Sequence, residues 1–306
     1  MITPTRSQVQ VLRSLQTQSM IVTTMLAEAA QYEQHSGQRP PPSWFEVFHN
    51  RATLREALSD AAVAGGVPRA WVDHVRERGN RAMRWNPDLY LRTPEPLNWD
   101  EILGGLDAHV QRLREWTALA AYSPIATPAE DAASARFDDN LRALRARTAG
   151  VANLLGIDAQ QAHELWGTEA DWVATGVAML DGVSVEGLAQ RWHHVARTDT
   201  RSDALQARAL AEAGIAIDTA VALPSHEALH SAIGAALTPP TPLFLSAATP
   251  GADIDAAVDA ANPTWSADAE TVMDTPIFSD SAGSEPWSAA QIDVAAATPM
   301  WREAAP

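Results

Sequence analysis

The sequence predicts an all-α body followed by a disordered, acidic C-terminal tail, and three observations carry that prediction. Over most of the first 237 positions apolar residues recur at steps of three and four, the spacing of one helix face. Glycines and prolines punctuate these stretches, and no segment alternates β-branched with polar residues at the period of two that a half-buried strand needs. From residue 238 onward the chain turns to Ala, Pro, Thr, Ser and Asp with scattered apolar residues and one Arg. Such a segment buries too little apolar surface to offset an ordering cost of about 1–2 kcal/mol per residue.

Arg6 to Gln34 holds no Gly or Pro, and Leu12, Leu15, Val22, Met25 and Leu26 fall at helical spacing, which predicts one long helix. Gly37 and Pro40-Pro41-Pro42 end it, and the aromatics of Trp44-Phe45-Glu46-Val47-Phe48 are expected to dock on the first core. Thr53 to Ala64 and Arg69 to Arg84 read as two helices around Gly65-Gly66. Asn86 to Asn98, with Pro87, Pro94 and Pro96, reads as a hinge or linker. Beyond it, Ile102, Leu103, Leu106, Val110, Leu113 and Trp116 form the apolar stripe of a helix from Trp99 to Tyr122. Further helices are predicted over Glu130–Leu155, Asp158–Trp166, Glu169–Leu180, Val185–Arg197 and Ser202–Ala213, parted by Gly156, Gly167, Gly182 and Gly214. The expected organisation is an N-terminal helical domain over residues 1–98, a second over 99–237, and the tail over 238–306.

Composition removes several function classes. The chain has no cysteine, which excludes a disulfide scaffold, a Cys-ligated zinc finger, an iron–sulfur centre and a thiol enzyme. All 22 basic residues are arginine, so neither a Walker phosphate loop nor a lysine Schiff base can form. No Gly-rich dinucleotide fingerprint and no Gly-x-Ser-x-Gly elbow appears. The longest uncharged stretch, Ser231 to Ala252, contains four prolines and cannot span a membrane as one helix. With no secretory leader visible, a cytoplasmic location is expected.

The net charge of −16 is unevenly spread. Residues 1–98 carry 11 Arg against 9 acidic residues, whereas residues 209–306 carry 1 against 13. The last third would repel nucleic acid and favour a basic partner, and the first third carries no such veto.

Three motifs carry possible chemistry. Leu58 to Val75 resembles the helix-turn-helix module of DNA-binding proteins, with Ala62 at the helix crossing, Gly66 at the turn, and Val67, Val72 and Val75 inside. The resemblance implies that Arg69 lies near base edges and that Arg76, Arg78, Arg81 and Arg84 meet phosphates, so residues 1–98 could bind DNA. The same pattern suits any tight αα-hairpin, and it recurs at Ala152 to Ile157 and Ala178 to Val183 without an early arginine in the helix that comes next.

The second motif, His226-Glu227-Ala228-Leu229-His230, resembles the zincin signature: two imidazoles on one helix face for zinc, and Glu227 as the base that activates water. Pro224-Ser225 starts a helix there and places His226 in its first turn. No histidine comes after His230, so a third ligand would come from Asp253, Asp255 or Glu270, while His193 and His194 upstream point apart. The alternative is a capped surface helix with two exposed imidazoles and no cofactor.

The third is a repeated Pro-Trp pattern in the tail, at Trp265, Trp287 and Trp301, each with an acidic residue close by. Tryptophan in a solvated segment is a common binding anchor, and three in one chain can act together; each could equally tuck back onto the body. The lysine-free, Trp-dotted helical chain, with stretches such as Gly65-Gly66-Val67-Pro68-Arg69-Ala70-Trp71-Val72, resembles accessory proteins of actinobacterial plasmids and other mobile elements. That resemblance transfers no catalytic residue. The expectation is a non-enzymatic interaction protein docking protein partners through its tail, with a DNA-binding accessory factor and a zinc-dependent hydrolase as alternatives.

Overall fold

The structure is a computed structural model that describes residues 3–122, 131–218 and 223–237. The predicted tail, with Trp265, Trp287 and Trp301, lies outside the described residues. The chain divides into two compact units, Met1–Leu243 and Phe244–Pro306, and all the described residues belong to the first.

Ten helices and no strand are found among the described residues. They are α1 (Arg6–Ser36), α2 (Pro42–Ala64), α3 (Arg69–Asn80), α4 (Trp99–Tyr122), α5 (Asp131–Leu155), α6 (Ala159–Trp166), α7 (Glu169–Leu180), α8 (Val185–Arg197), α9 (Arg201–Glu212) and α10 (His226–Leu237). The caps are those the composition supplies. Thr5 and Gln8 form a capping box at the start of α1, Asp158 with Gln161 and Thr168 with Asp171 do the same for α6 and α7, and Ser184 caps α8. Each side chain takes up a backbone N–H that the first helical turn leaves without a partner.

The predicted αα-hairpins form, and the first two turns share one geometry, whereas at the third the Val183 N–H returns to the Leu180 carbonyl (3.3 Å). Gly66 and Gly156 are left-handed, and the next residue's N–H returns to the helix, Val67 to the Ala62 carbonyl (2.9 Å) and Ile157 to the Ala152 carbonyl (3.1 Å). Only glycine takes that backbone cheaply, which explains why one sequence pattern recurs at both places.

Three expectations are corrected. The segment from Trp44 is not a separate patch docked on the core; it belongs to α2, which starts at Pro42, where proline's fixed φ suits a first helical position. Trp44 stacks on Phe48 with centroids 5.1 Å apart and meets Phe45 edge-on, while Phe45 and Val47 are 48% and 51% exposed. Helix α3 stops at Asn80 rather than Arg84, because Ala82 turns to a positive φ of 55°. Residues 86–98 are pinned rather than free: the buried Trp71 indole N–H donates to the Arg92 carbonyl (2.7 Å), and Leu89 and Leu91 pack on the core.

Nor does the packing divide at residue 98. One hydrophobic cluster runs from Val11 and Leu12 in α1 to Leu229 and Ile233 in α10, with α2 packed on α9 and α5 touching α1, α2, α4, α8 and α9. Two bare backbones allow the closest approaches. A Cβ on Gly79 would come within 2.6 Å of Ser19 Cβ and nearer still to the Gln16 carbonyl oxygen of α1. On Gly65 it would overlap Leu154 Cδ2 and lie 2.7 Å from Leu154 Cγ. Asn140 ties α5 to the α8–α9 turn, donating to the carbonyls of Val195 and Thr198 and accepting from the Thr200 hydroxyl.

These contacts predict an order of costs. Gly79→Ala should destabilise by about 2–3 kcal/mol, because a backbone carbonyl cannot step aside. Gly65→Ala should cost less, and its cost should shrink in a Leu154→Ala background, since the two substitutions share one space. Gly104→Ala, with open space around the new methyl, should stabilise by about 0.5–1 kcal/mol. Chemical denaturation of the five variants, Leu154→Ala alone included, measures the series; equal values for Gly79→Ala and Gly104→Ala would contradict it.

Candidate functional site

The helix-turn-helix-like segment folds as a hairpin, and most of its arginines are engaged. Arg76 forms an ion pair with Glu56 (2.8 Å), which also takes Arg55 (2.7 Å). Arg81 pairs with Glu77, one turn back on α3. Arg78 donates to the Arg84 carbonyl at 3.5 Å and buries its Nε without a partner. Arg84 is exposed. Arg69, the first residue of α3, is exposed too, but it shares a cavity wall with Leu97 and Asn98, which adjoin the N-terminal end of α4. The outer face of α3 presents Asp73, His74 and Glu77 beside Arg69. That face mixes signs, whereas phosphate contact needs a run of cations.

The zincin-like motif sits where its sequence context put it. Ser225 accepts from the Ala228 N–H (3.4 Å) and its carbonyl takes the Leu229 N–H, so His226 opens α10 in the first turn. The rings of His226 and His230 are 6.0 Å apart, tilted by 57°. His230 and Glu227 are exposed; His226 is half-buried, with its Nδ1 sealed from solvent and without a hydrogen-bond partner. Arg145 of α5 stands close by, donating to the Pro224 carbonyl (2.5 Å). Burial, then the charge of Arg145, then His230 hold the His226 pKa below 6.5. A neutral imidazole suits a metal, but a neighbouring guanidinium opposes one. Among the described residues no group of three His, Asp or Glu converges to hold a metal ion. Asp253, Asp255 and Glu270 lie outside the described residues, and His193 and His194 line different depressions of the surface.

Two features were not anticipated from the sequence. One is the exposed end of the α1–α2 pair. No residue of α1 beyond Val22, and none of α2 before Leu54, is buried, so the two helices run on past the core by about 20 Å, at 1.5 Å per residue. This extension carries Leu26, Phe45 and Val47 in solvent and the half-exposed Trp44 and Phe48. The signal was in the spacing: positions 44, 45, 47 and 48 cover about 160° of a helix circumference, more than one contact can bury. The other is a cavity of about 440 Å³ where the α2–α3 turn meets α4 and α5. His109 and Arg147 lie in its wall, and the His109 pKa is lowered by burial and then by Arg147.

No family model, curated protein or solved structure matches the chain.

The two depressed histidines predict an acid-side loss of stability. As pH falls through 6.5 the unfolded chain takes up protons before native His109 and His226 do, so their contribution is complete above 6.5 and declines as pH drops toward their lower native values. The melting temperature should therefore fall between about pH 7 and 5.5. His109→Asn and His226→Asn should each flatten part of that fall, and a scan unchanged by both would refute the assignment.

Proposed function

We propose that this chain is a non-enzymatic helical interaction protein that holds a protein partner through apolar anchors. The observation that carries the reading is the extension of α1 and α2 beyond the core. Phe45 and Val47 lie on opposite sides of α2 and contribute nothing to the core, and large apolar side chains left in solvent around one helix end mark a contact surface that a partner would wrap. Glu28, Glu33 and Glu46 are exposed on the same stretch, against Arg39 and Arg51, so a partner cleft would be apolar with at most a slightly basic rim. In this reading Trp265, Trp287 and Trp301 add further anchors from the tail, where linked weak sites gain from effective concentration.

DNA binding is less well supported. Asp73 and Glu77 share the outer face of α3, and Arg76 and Arg81 are held by carboxylates. The zinc reading has two histidines and a guanidinium beside one of them. The chain is expected to act in the cytoplasm; no helix among the described residues is long and apolar enough to cross a membrane.

A photo-crosslinking residue placed at Val47 in source cells should capture one partner, and the same residue at exposed Asp88 should not. Phe45→Ser should reduce capture at Val47 several-fold while shifting the melting temperature by less than about 2 °C, because a half-exposed side chain outside the core adds little stability. Replacing all three tail tryptophans by Ala should weaken capture further. A crosslinked species of twice the chain's own mass would mean self-association, and none at Val47 or in the tail would end the proposal.

A further inference from the structure

The cavity between the α2–α3 turn, α4 and α5 combines an apolar floor with two cations and open backbone. Val63, Val67, Ile102, Leu106 and Val151 furnish the floor. Its volume of about 440 Å³ falls in the range that small organic ligands occupy.

Arg147 supplies the deeper charge. Its side chain is 12% exposed, and its Nε is fixed by the Gln206 side-chain carbonyl (2.6 Å) and by Asp203 (3.4 Å). The terminal Nη groups make no hydrogen bond among the described residues and are not sealed off, which leaves the flat end of the fork for something outside the protein. Arg69 stands at the rim with no ion pair among the described residues. His109 donates from Nδ1 to the Gly105 carbonyl (2.6 Å), since a carbonyl can only accept, and in its neutral form Nε2 remains an acceptor. One carboxylate, Glu101, lines the cavity as well; it is exposed, and Asn98 donates to it (3.3 Å).

Gly105 is an independent indication. It lies inside α4, where alanine would be more stable, yet apart from its own helix backbone and chain neighbours nothing among the described residues lies within 4 Å of the position its Cβ would take. Neither close packing nor a left-handed turn explains it, and it borders the cavity. Its neighbour Gly104 has the same freedom but does not line the cavity, which makes it a matched control.

The geometry points to a binding site for a small organic monocarboxylate, its compact apolar body on the valine and isoleucine floor and its carboxylate held between Arg147 and Arg69. This inference is independent of the proposed protein docking, which uses other residues.

Calorimetry on the full chain with benzoate, phenylacetate and isovalerate tests it, with phenylacetamide and inorganic phosphate as controls. At least one acid should bind with a Kd below about 1 mM, within reach of a ligand of some ten heavy atoms. Arg69→Gln, Gly105→Ala and the paired Arg147→Gln, Asp203→Asn should each weaken it about tenfold or more, as loss of a charge-assisted hydrogen bond or of the occupied space does. Gly104→Ala should leave binding unchanged. Gly105→Ala should also raise the melting temperature of the ligand-free protein by about 2 °C, so that lost binding there cannot be lost folding. The assignment is overturned if none of the acids binds, if phenylacetamide or phosphate binds as tightly as the best acid, or if Gly105→Ala and Arg69→Gln both bind like the parent.

Discussion

Leu154 fills the space that a side chain on Gly65 would occupy, and this contact, beside the broader packing of α2 on α9, joins the first hairpin to the rest of the helical body. Gly65 caps the second helix, and Leu154 lies in the last turn of the fifth, which like α2 and α4 packs on several others. The first hairpin and the later helices thereby share one core rather than two. Close packing transmits strain, so a methyl group added here would be felt by α1, α2 and α5 together. The Pro-rich stretch before α4, a natural place for a boundary, is instead drawn in by the Trp71 indole and its own leucines.

Most of the helices were legible because their ends are chemically marked. Thr5, Asp158, Thr168 and Ser184 cap starts, and Gly66, Gly156 and Gly182 mark stops, so propensity and turn chemistry agree with the packed result. The misses share a cause. Three prolines before Trp44 read as a break, but the last of them is a good first helical residue; the apolar run after it read as core because hydrophobicity says nothing about whether a partner surface is within reach. The cavity was illegible for another reason. Arg69, His109 and Arg147 are far apart in sequence and meet only through tertiary packing, and only the glycine pair inside α4 hinted at it.

A chain whose only cations are arginines uses them as ties between distant segments. Arg114 lies over the Trp172 ring, 4.5 Å from its centroid, and donates to the Trp166 carbonyl. Arg145 reaches Pro224, and Arg147 reaches Gln206 and Asp203. The planar, weakly hydrated guanidinium tolerates such half-buried positions, where an ammonium would lose more hydration. Sequence patterning reads a row of arginines as a surface for phosphates. Here Arg76 and Arg81 are held by carboxylates, so the charge available to an outside ligand is smaller than the count suggests.

The overhanging ends of α1 and α2 have an evolutionary consequence. Most substitutions are purged because they cost stability, and those costs concentrate where side chains are buried. From residue 23 to residue 53 only Pro40 is buried, so this stretch can drift with little penalty to folding. Its aromatic residues would then be kept or replaced solely by what they touch, and sister lineages facing different partners could re-specify the tip while inheriting the same core.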